Sequence, residues 1–266
     1  MLQLPEISPD KLLLDDLRSL QKRVNGKKNY AAQVDCAKRF WRVYRPSTLR
    51  DVKVLLVEMC SGGRRCCYCE DSLGTDIEHI WPKSLYPDRT FDWMNYVLAC
   101  SLCNKHKGAH WAVFPSATSS YQIVSRPSSA KPTFPPLSGT AVFIDPRQED
   151  GMQFLILDLQ NSFRFVVQPS LRGRERERAE YTLQRLPFND DAICQERANE
   201  YQNYAARLRD YLCDKQQSAD PARLERHRTS LLRLRHPTVF REMQRQHSRI
   251  PELTALFAKV PEALSW

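Results

Sequence analysis

Leu12, Leu13, Leu17 and Leu20 recur close to one helical face and predict a helix over residues 9–23, with Ser8 placed to cap it. Ala32, Val34, Ala37, Phe40, Trp41 and Tyr44 predict a second helix over 29–44. Ser47 is placed to cap a third, which runs through Met59 and stops at Gly62 and Gly63. The aromatic residues of this block sit at helical spacing and read as core rather than as a stacking platform. Residues 115–140 are rich in Ser, Pro and Thr, lack periodicity and read as a loop. The runs Ala141–Ile144, Phe154–Leu159 and Phe163–Val167 read as short strands joined by the turn-like DPRQEDG and QNS. Helical periodicity returns over 171–186, 190–215, 221–235 and the tail from Pro251. In that tail Leu253, Leu256, Phe257, Val260, Leu264 and Trp266 form an apolar face. It is expected to cover the chain's own core in preference to docking on a partner.

The predicted fold class is therefore α+β and mostly helical. Three units are expected: an N-terminal helical block over 1–62, a cysteine-rich core over 63–125, and a β-hairpin with a helical region over 126–266. The 266 residues are enough for one or two domains with a sizeable core. With 8 Gly and 17 Pro, collagen-like and Gly-linker classes are excluded. Forty Lys and Arg against 31 Asp and Glu leave a formal charge of +9, which suits a nucleic-acid partner. Arg223, Arg226, Arg228, Arg233, Arg235, Arg241, Arg245 and Arg249 crowd one stretch that contains only Glu225 and Glu242 as acids. Such runs are most often solvated helix faces. No apolar run approaches the ~18 residues of a membrane span. Acids interrupt the N-terminal stretch where a signal peptide needs apolar residues. A cytoplasmic protein without a membrane partner is expected.

Nine cysteines change the picture. Four form two C-x-x-C pairs, Cys66 with Cys69 and Cys100 with Cys103. That spacing lets each pair aim two sulfurs of a tight turn at one tetrahedral ion, and it predicts a structural zinc. Cys67 lies between ligands and is spare. Cys36, Cys60, Cys194 and Cys213 read as core fillers.

Between the pairs stands I-E-H-I-W-P, with Glu78 and His79, followed by Asn95; Asn104 comes directly after the last cysteine. Phosphodiester hydrolysis needs an activated water, a Lewis acid and groups that position both. An unperturbed histidine titrates near pH ~6.5, so His79 can take a proton from water. Glu78 offers a hard oxygen and Asn104 a carbonyl oxygen, which suit Mg²⁺ or Mn²⁺. Zinc held by four thiolates has no open position and is expected to fasten the scaffold.

The segment Cys66–Lys107 resembles the HNH nucleases of zinc-stapled ββα-metal type. Their pattern is C-x-x-C, then D/E-H-I-x-P, then N, then C-x-x-C-N-x-x-K, and every element stands here. The resemblance implies that His79 is the general base. It makes Glu78 and Asn104 ligands of the catalytic magnesium or manganese, and Asn95 the residue that braces the hairpin loop. Cys66, Cys69, Cys100 and Cys103 would hold the zinc. Lys83 and Lys107 are expected to contact nucleic-acid phosphate. The flanks are similar, through softer motifs such as F-I-D-P-R-Q-E-D and R-A-E-Y-T-L-Q-R-L-P-F-N-D-D, to the PtuB-type HNH subunits of Septu and retron-associated anti-phage systems. Members of that group act with an ABC/SMC-like ATPase, which becomes the expected protein partner. The expected substrate is DNA, with RNA left open. A zinc-stapled binding module that does not cut, and a stand-alone restriction-type enzyme, are the alternatives. No specificity domain for the second is recognisable in the chain.

Overall fold

The computed structural model describes residues 1–44, 48–60, 63–116, 120–125 and 134–266. Helix α1 spans Lys11–Asn25 and begins at Asp10, whose carboxylate accepts the Leu13 N–H at 2.8 Å. An acceptor directly before the first turn displaces the expected start at Ser8. Helix α1 buries Leu13, Leu17, Leu20 and Val24. Helix α2 spans Tyr30–Tyr44 and α3 spans Thr48–Glu58. The expected cap Ser47 and the stop at Gly62 lie outside the described residues.

Strand β1, Asp76–His79, pairs antiparallel with β2, Tyr96–Ala99, in the register Glu78 opposite Val97 and His79 opposite Tyr96. Pro82 follows close behind β1; without an N–H it cannot extend a ladder, so the expected run to Trp81 ends early. Helix α4, Ser101–Lys107, follows β2 directly. All four residues of β2 are buried, and their alternation divides two cores. Tyr96 and Leu98 join Phe91, Trp93 and the three N-terminal helices; Val97 and Ala99 join the cysteines and the C-terminal region. The N-terminal helices thus share a core with the cysteine-rich segment.

Strands β3 (Trp111–Phe114), β4 (Gln122–Val124) and β5 (Thr140–Ala141) form a sheet in the order β4-β3-β5. β4 lies inside the stretch expected to be loop. Its partner β3 is fully buried, and the open edge of β3 supplies the pairing that local sequence does not encode. Only Ala141 of the expected strand Ala141–Ile144 is in a strand, although Val142, Phe143 and Ile144 are all buried. The hairpin β6 (Leu155–Leu157) and β7 (Phe165–Val167) is shorter than its apolar runs.

Five helices complete the chain: α5 Gly173–Arg185, α6 Asp191–Gln216, α7 Pro221–Leu232, α8 Pro237–Gln246 and α9 Pro251–Lys259. Asp190 and Asp220 cap α6 and α7. The short α8 was not legible in the sequence. Its first turn is capped from a distance: the Glu70 carboxylate, one residue past Cys69, accepts the Thr238 N–H at 3.0 Å. Arg235 pairs with Asp71, Glu196 and Glu200 beside it, so the cysteine-bearing turn is bolted to the C-terminal helices. Leu253, Leu256, Phe257 and Val260 of the tail are buried in the chain's own core, while Leu264 is exposed. Cys36 and Cys194 are buried as expected of core fillers, whereas Cys60 is half-buried and Cys213 lies on the exposed side of α6. Several arginines of the basic stretch pair with carboxylates of the same chain: Arg223 with the buried Asp214, Arg245 with the buried Glu242, and Arg228 with the exposed Glu225. Among the described residues no helix is long and apolar enough to cross a membrane.

Candidate active site and metal centre

Cys66, Cys69, Cys100 and Cys103 are all buried, and their sulfurs lie within 4.8 Å of one another. The Cys69 and Cys100 sulfurs are 3.9 Å apart. Zn–S bonds of about 2.3 Å at tetrahedral angles put sulfurs about 3.8 Å apart, so this cluster can hold such an ion with little movement. Four thiols crowded in this way titrate together. Hydrogen bonds from Cys103, Cys66 and Cys69 draw the Cys100 thiol far below its ordinary value, and burial pushes Cys66 well above it. Cys67 is buried but outside the cluster.

The β1–β2 pair ends in a second group. Alternation sends Asp76 and Glu78 toward α4, and Ile77 and His79 toward the N-terminal helices. On the α4 side, the Asn104 Nδ2 donates to Asp76 Oδ2 at 2.9 Å, and the Lys107 Nζ donates to Glu78 Oε1 at 2.7 Å and to the His79 carbonyl at 2.7 Å. Asp76 fixes the Asn104 amide by its nitrogen and so leaves the amide oxygen as the acceptor. Helix α4 ends at Gly108, whose φ of +49° suits a residue without Cβ.

On the other side, the His79 Nε2 lies 3.0 Å from the Thr90 carbonyl oxygen. A carbonyl can only accept, so Nε2 carries the hydrogen. In the neutral ring Nδ1 is then the unprotonated nitrogen, and it has no hydrogen-bond partner. Burial, then the charges of Lys83 and Lys107, hold the His79 imidazole well below its ordinary pKa and keep it neutral at physiological pH. Its ring packs edge-on against Trp41 at 4.3 Å and Tyr96 at 5.2 Å.

Asn95 is buried and fully used. Its Nδ2 donates to the Trp81 and Arg89 carbonyls at 3.0 and 2.8 Å, and its Oδ1 accepts the Trp81 N–H at 2.7 Å. These bonds brace the loop that presents the Thr90 carbonyl to His79.

Glu78, His79, Lys83 and Asn104 line one cavity of about 260 Å³, together with Lys38, Pro82, Ser84, Gly108 and Ala109. The two oxygen-bearing groups are therefore brought together at a cavity to which His79 also contributes, while the imidazole itself is buried against Trp41 and Tyr96. The donor set, a carboxylate with one oxygen committed to Lys107 and an amide oxygen, fits a hard divalent cation. Lys107 stands elsewhere than expected: it is fully buried, ion-paired to Glu78 and enclosed by the Trp111 and Phe143 rings, out of reach of a phosphate. Sequence reasoning overlooked four contributors. Asp76 had a signal, since two acids at alternate positions of one strand share a face. Thr90, Lys38 and Trp41 had none, because each arrives by tertiary packing.

No protein-family model matches the chain. Over 64 residues it is 36% identical to the Septu protein PtuB of Bacillus thuringiensis, a stretch that makes up 22% of this chain and 24% of that protein. The chain thus spans about a quarter of the length of the curated relative it matches.

Proposed function

We propose that this protein is a metal-dependent HNH endonuclease that hydrolyses phosphodiester bonds in nucleic acid, DNA in preference to RNA. The single observation that carries the reading is the state of His79. Its Nε2 is committed to a carbonyl, which leaves Nδ1 as the unprotonated and unpartnered nitrogen of a residue that lines the cavity with Glu78 and Asn104. The order β1, β2, α4, with a four-cysteine cluster beside it, is the arrangement a ββα-metal core requires.

In this reading the His79 Nδ1 takes a proton from a water as its oxygen bonds to phosphorus. The P–O bond to the leaving oxygen breaks, and that oxygen is protonated from solvent. Thr90 holds the tautomer, and Asn95 holds the loop that carries Thr90. Glu78 and Asn104 would hold magnesium or manganese, which supplies Lewis-acid stabilisation of the charge developing on the phosphate. The cysteines would hold zinc as a staple. Lys83, at the cavity, carries the phosphate-contacting role.

The partial likeness to a Septu protein supports a place in anti-phage defence, in association with an ABC/SMC-like ATPase. The test is incubation with DNA and RNA in Mg²⁺ or Mn²⁺, with and without an ABC/SMC-like ATPase of a Septu system. Wild type is expected to cleave and His79→Ala to cleave slower by about 10²–10⁴. Equal cleavage by both, or none by wild type with such an ATPase present, overturns the reading.

A further inference from the structure

Helix α2 does not belong to the motif-bearing segment, yet it forms part of the cavity wall. Trp41 anchors it there: its ring packs on His79 at 4.3 Å, Tyr96 at 5.8 Å and Phe91 at 6.2 Å. Lys38 lies three residues before Trp41 and so on the same helical face. Its side chain is exposed and lines the cavity beside Glu78, His79 and Asn104. Most exposed lysines are merely solvated. Here the position is imposed by the ring contacts of the half-buried Trp41, and Lys38 makes no ion pair among the described residues. A second ammonium faces the same space, since Lys83 lines the cavity and sits 5.2 Å from the Trp41 ring. Two ammonium groups lining one cavity give it a positive potential that attracts a phosphate. Arg42, also exposed, stands one turn beyond Lys38 and prolongs the basic stripe away from the cavity.

We propose that Lys38 is a phosphate-binding residue of this site, contributed by α2, and that with Lys83 it clasps a backbone phosphate of the bound nucleic-acid strand. The proposal rests on the nuclease reading for what happens next to that phosphate, but the contact itself is a binding claim. It makes α2 a working part of the site rather than a neighbouring block. It also predicts that substrate affinity depends on a residue outside the Cys66–Lys107 segment.

The test uses full-length, zinc-loaded protein carrying His79→Ala, so that probes survive. Binding to a fluorescein-labelled 30-bp DNA duplex, its single strand and the RNA of the same sequence is followed by anisotropy across a salt series. Lys38→Gln is expected to weaken binding to the preferred probe several-fold. It should also lower the slope of log K against log [salt] by about 0.9 for a duplex or about 0.7 for a single strand, the loss of one phosphate contact. Lys38→Arg should restore both, and Lys259→Gln, on the exposed side of α9, should change neither. Cleavage is measured in parallel with His79 present, where Lys38→Gln should raise KM and leave kcat within about twofold.

If Lys38→Gln binds with the parent's affinity and slope, or if the parent binds none of the probes, the inference is overturned. If binding shifts as expected but His79→Ala cleaves as well as wild type, the inference stands and the nuclease reading falls. The two failures are therefore separable.

Discussion

Lys107→Met asks whether a buried ammonium organises the site. The Lys107 side chain is 0% exposed and that of Glu78 is 9% exposed, with 2.7 Å between the charged atoms. Methionine keeps the stem packed on Trp111 and Phe143 but removes the cation. The Glu78 carboxylate is then left buried without its partner, and the His79 carbonyl loses a donor. Breaking a buried pair from one side costs about 3–5 kcal/mol. With a urea m-value of ~3 kcal/mol/M, that lowers the unfolding midpoint by roughly 1–1.7 M. Glu78→Gln alone should also destabilise, since it leaves the lysine charged among aromatic rings. The double variant should recover about 2 kcal/mol relative to the sum, because it removes both charges at once. The assay is urea unfolding of zinc-saturated protein followed by far-ultraviolet dichroism. A Lys107→Met midpoint within ~0.3 M of wild type, with a reduced salt dependence of nucleic-acid binding, would refute the reasoning. It would return Lys107 to the phosphate-contacting role its position in the motif suggests.

His79→Ala should cut the cleavage rate by about 10²–10⁴, the usual contribution of a general base, while retaining the zinc content of wild type by mass spectrometry. Asn95→Ala removes three hydrogen bonds and leaves the Trp81 N–H and two carbonyls unpaired. It should cost about 2–4 kcal/mol in urea unfolding and lower cleavage through the displaced Thr90 carbonyl. Cys103→Ser should abolish stoichiometric zinc and destabilise the whole chain, because the cluster ties the Cys66–Cys69 turn, bonded to the C-terminal helices through Glu70 and Asp71, to the end of β2 and to α4. Burial raises the Asp145 carboxyl to about 6, so the folded state takes up its proton before the unfolded chain does. That contribution favours folding below pH ~4 and is lost as pH rises through 6, by about 3 kcal/mol. Asp145→Asn keeps the acceptor for the Arg147 N–H and should flatten the stability profile between pH 4 and 6.

Local chemistry was legible where it repeats at fixed spacing. Both cysteine pairs, the E-H dipeptide and Asn104 could be placed before any fold was known, because a tetrahedral ion and a strand each impose short-range rules on residue order. The helices with strong periodicity were legible for the same reason. What sequence could not show is set by packing. β4 exists because the buried β3 offers it an edge, and α8 starts because Glu70, far away in the chain, caps it. Lys107 is the instructive case. In a linear motif a lysine after Cys-Asn reads as a surface cation, but the helical repeat of α4 turns it inward onto Glu78. Lys38 shows the converse: an unremarkable lysine on an N-terminal helix reaches the cavity only because Trp41 fixes that helix against His79.

Placing a hard divalent ion between Glu78 and Asn104, beside the unprotonated nitrogen of His79, is the claim on which the nuclease account turns. Anomalous diffraction from crystals soaked in Mn²⁺ measures it directly. The account predicts a manganese peak bonded to a Glu78 carboxylate oxygen and the Asn104 amide oxygen, apart from the zinc peak at the four cysteines. A soaked crystal with zinc at the cysteines and no manganese at that cavity, or with Nδ1 of His79 turned away from it, would contradict the account.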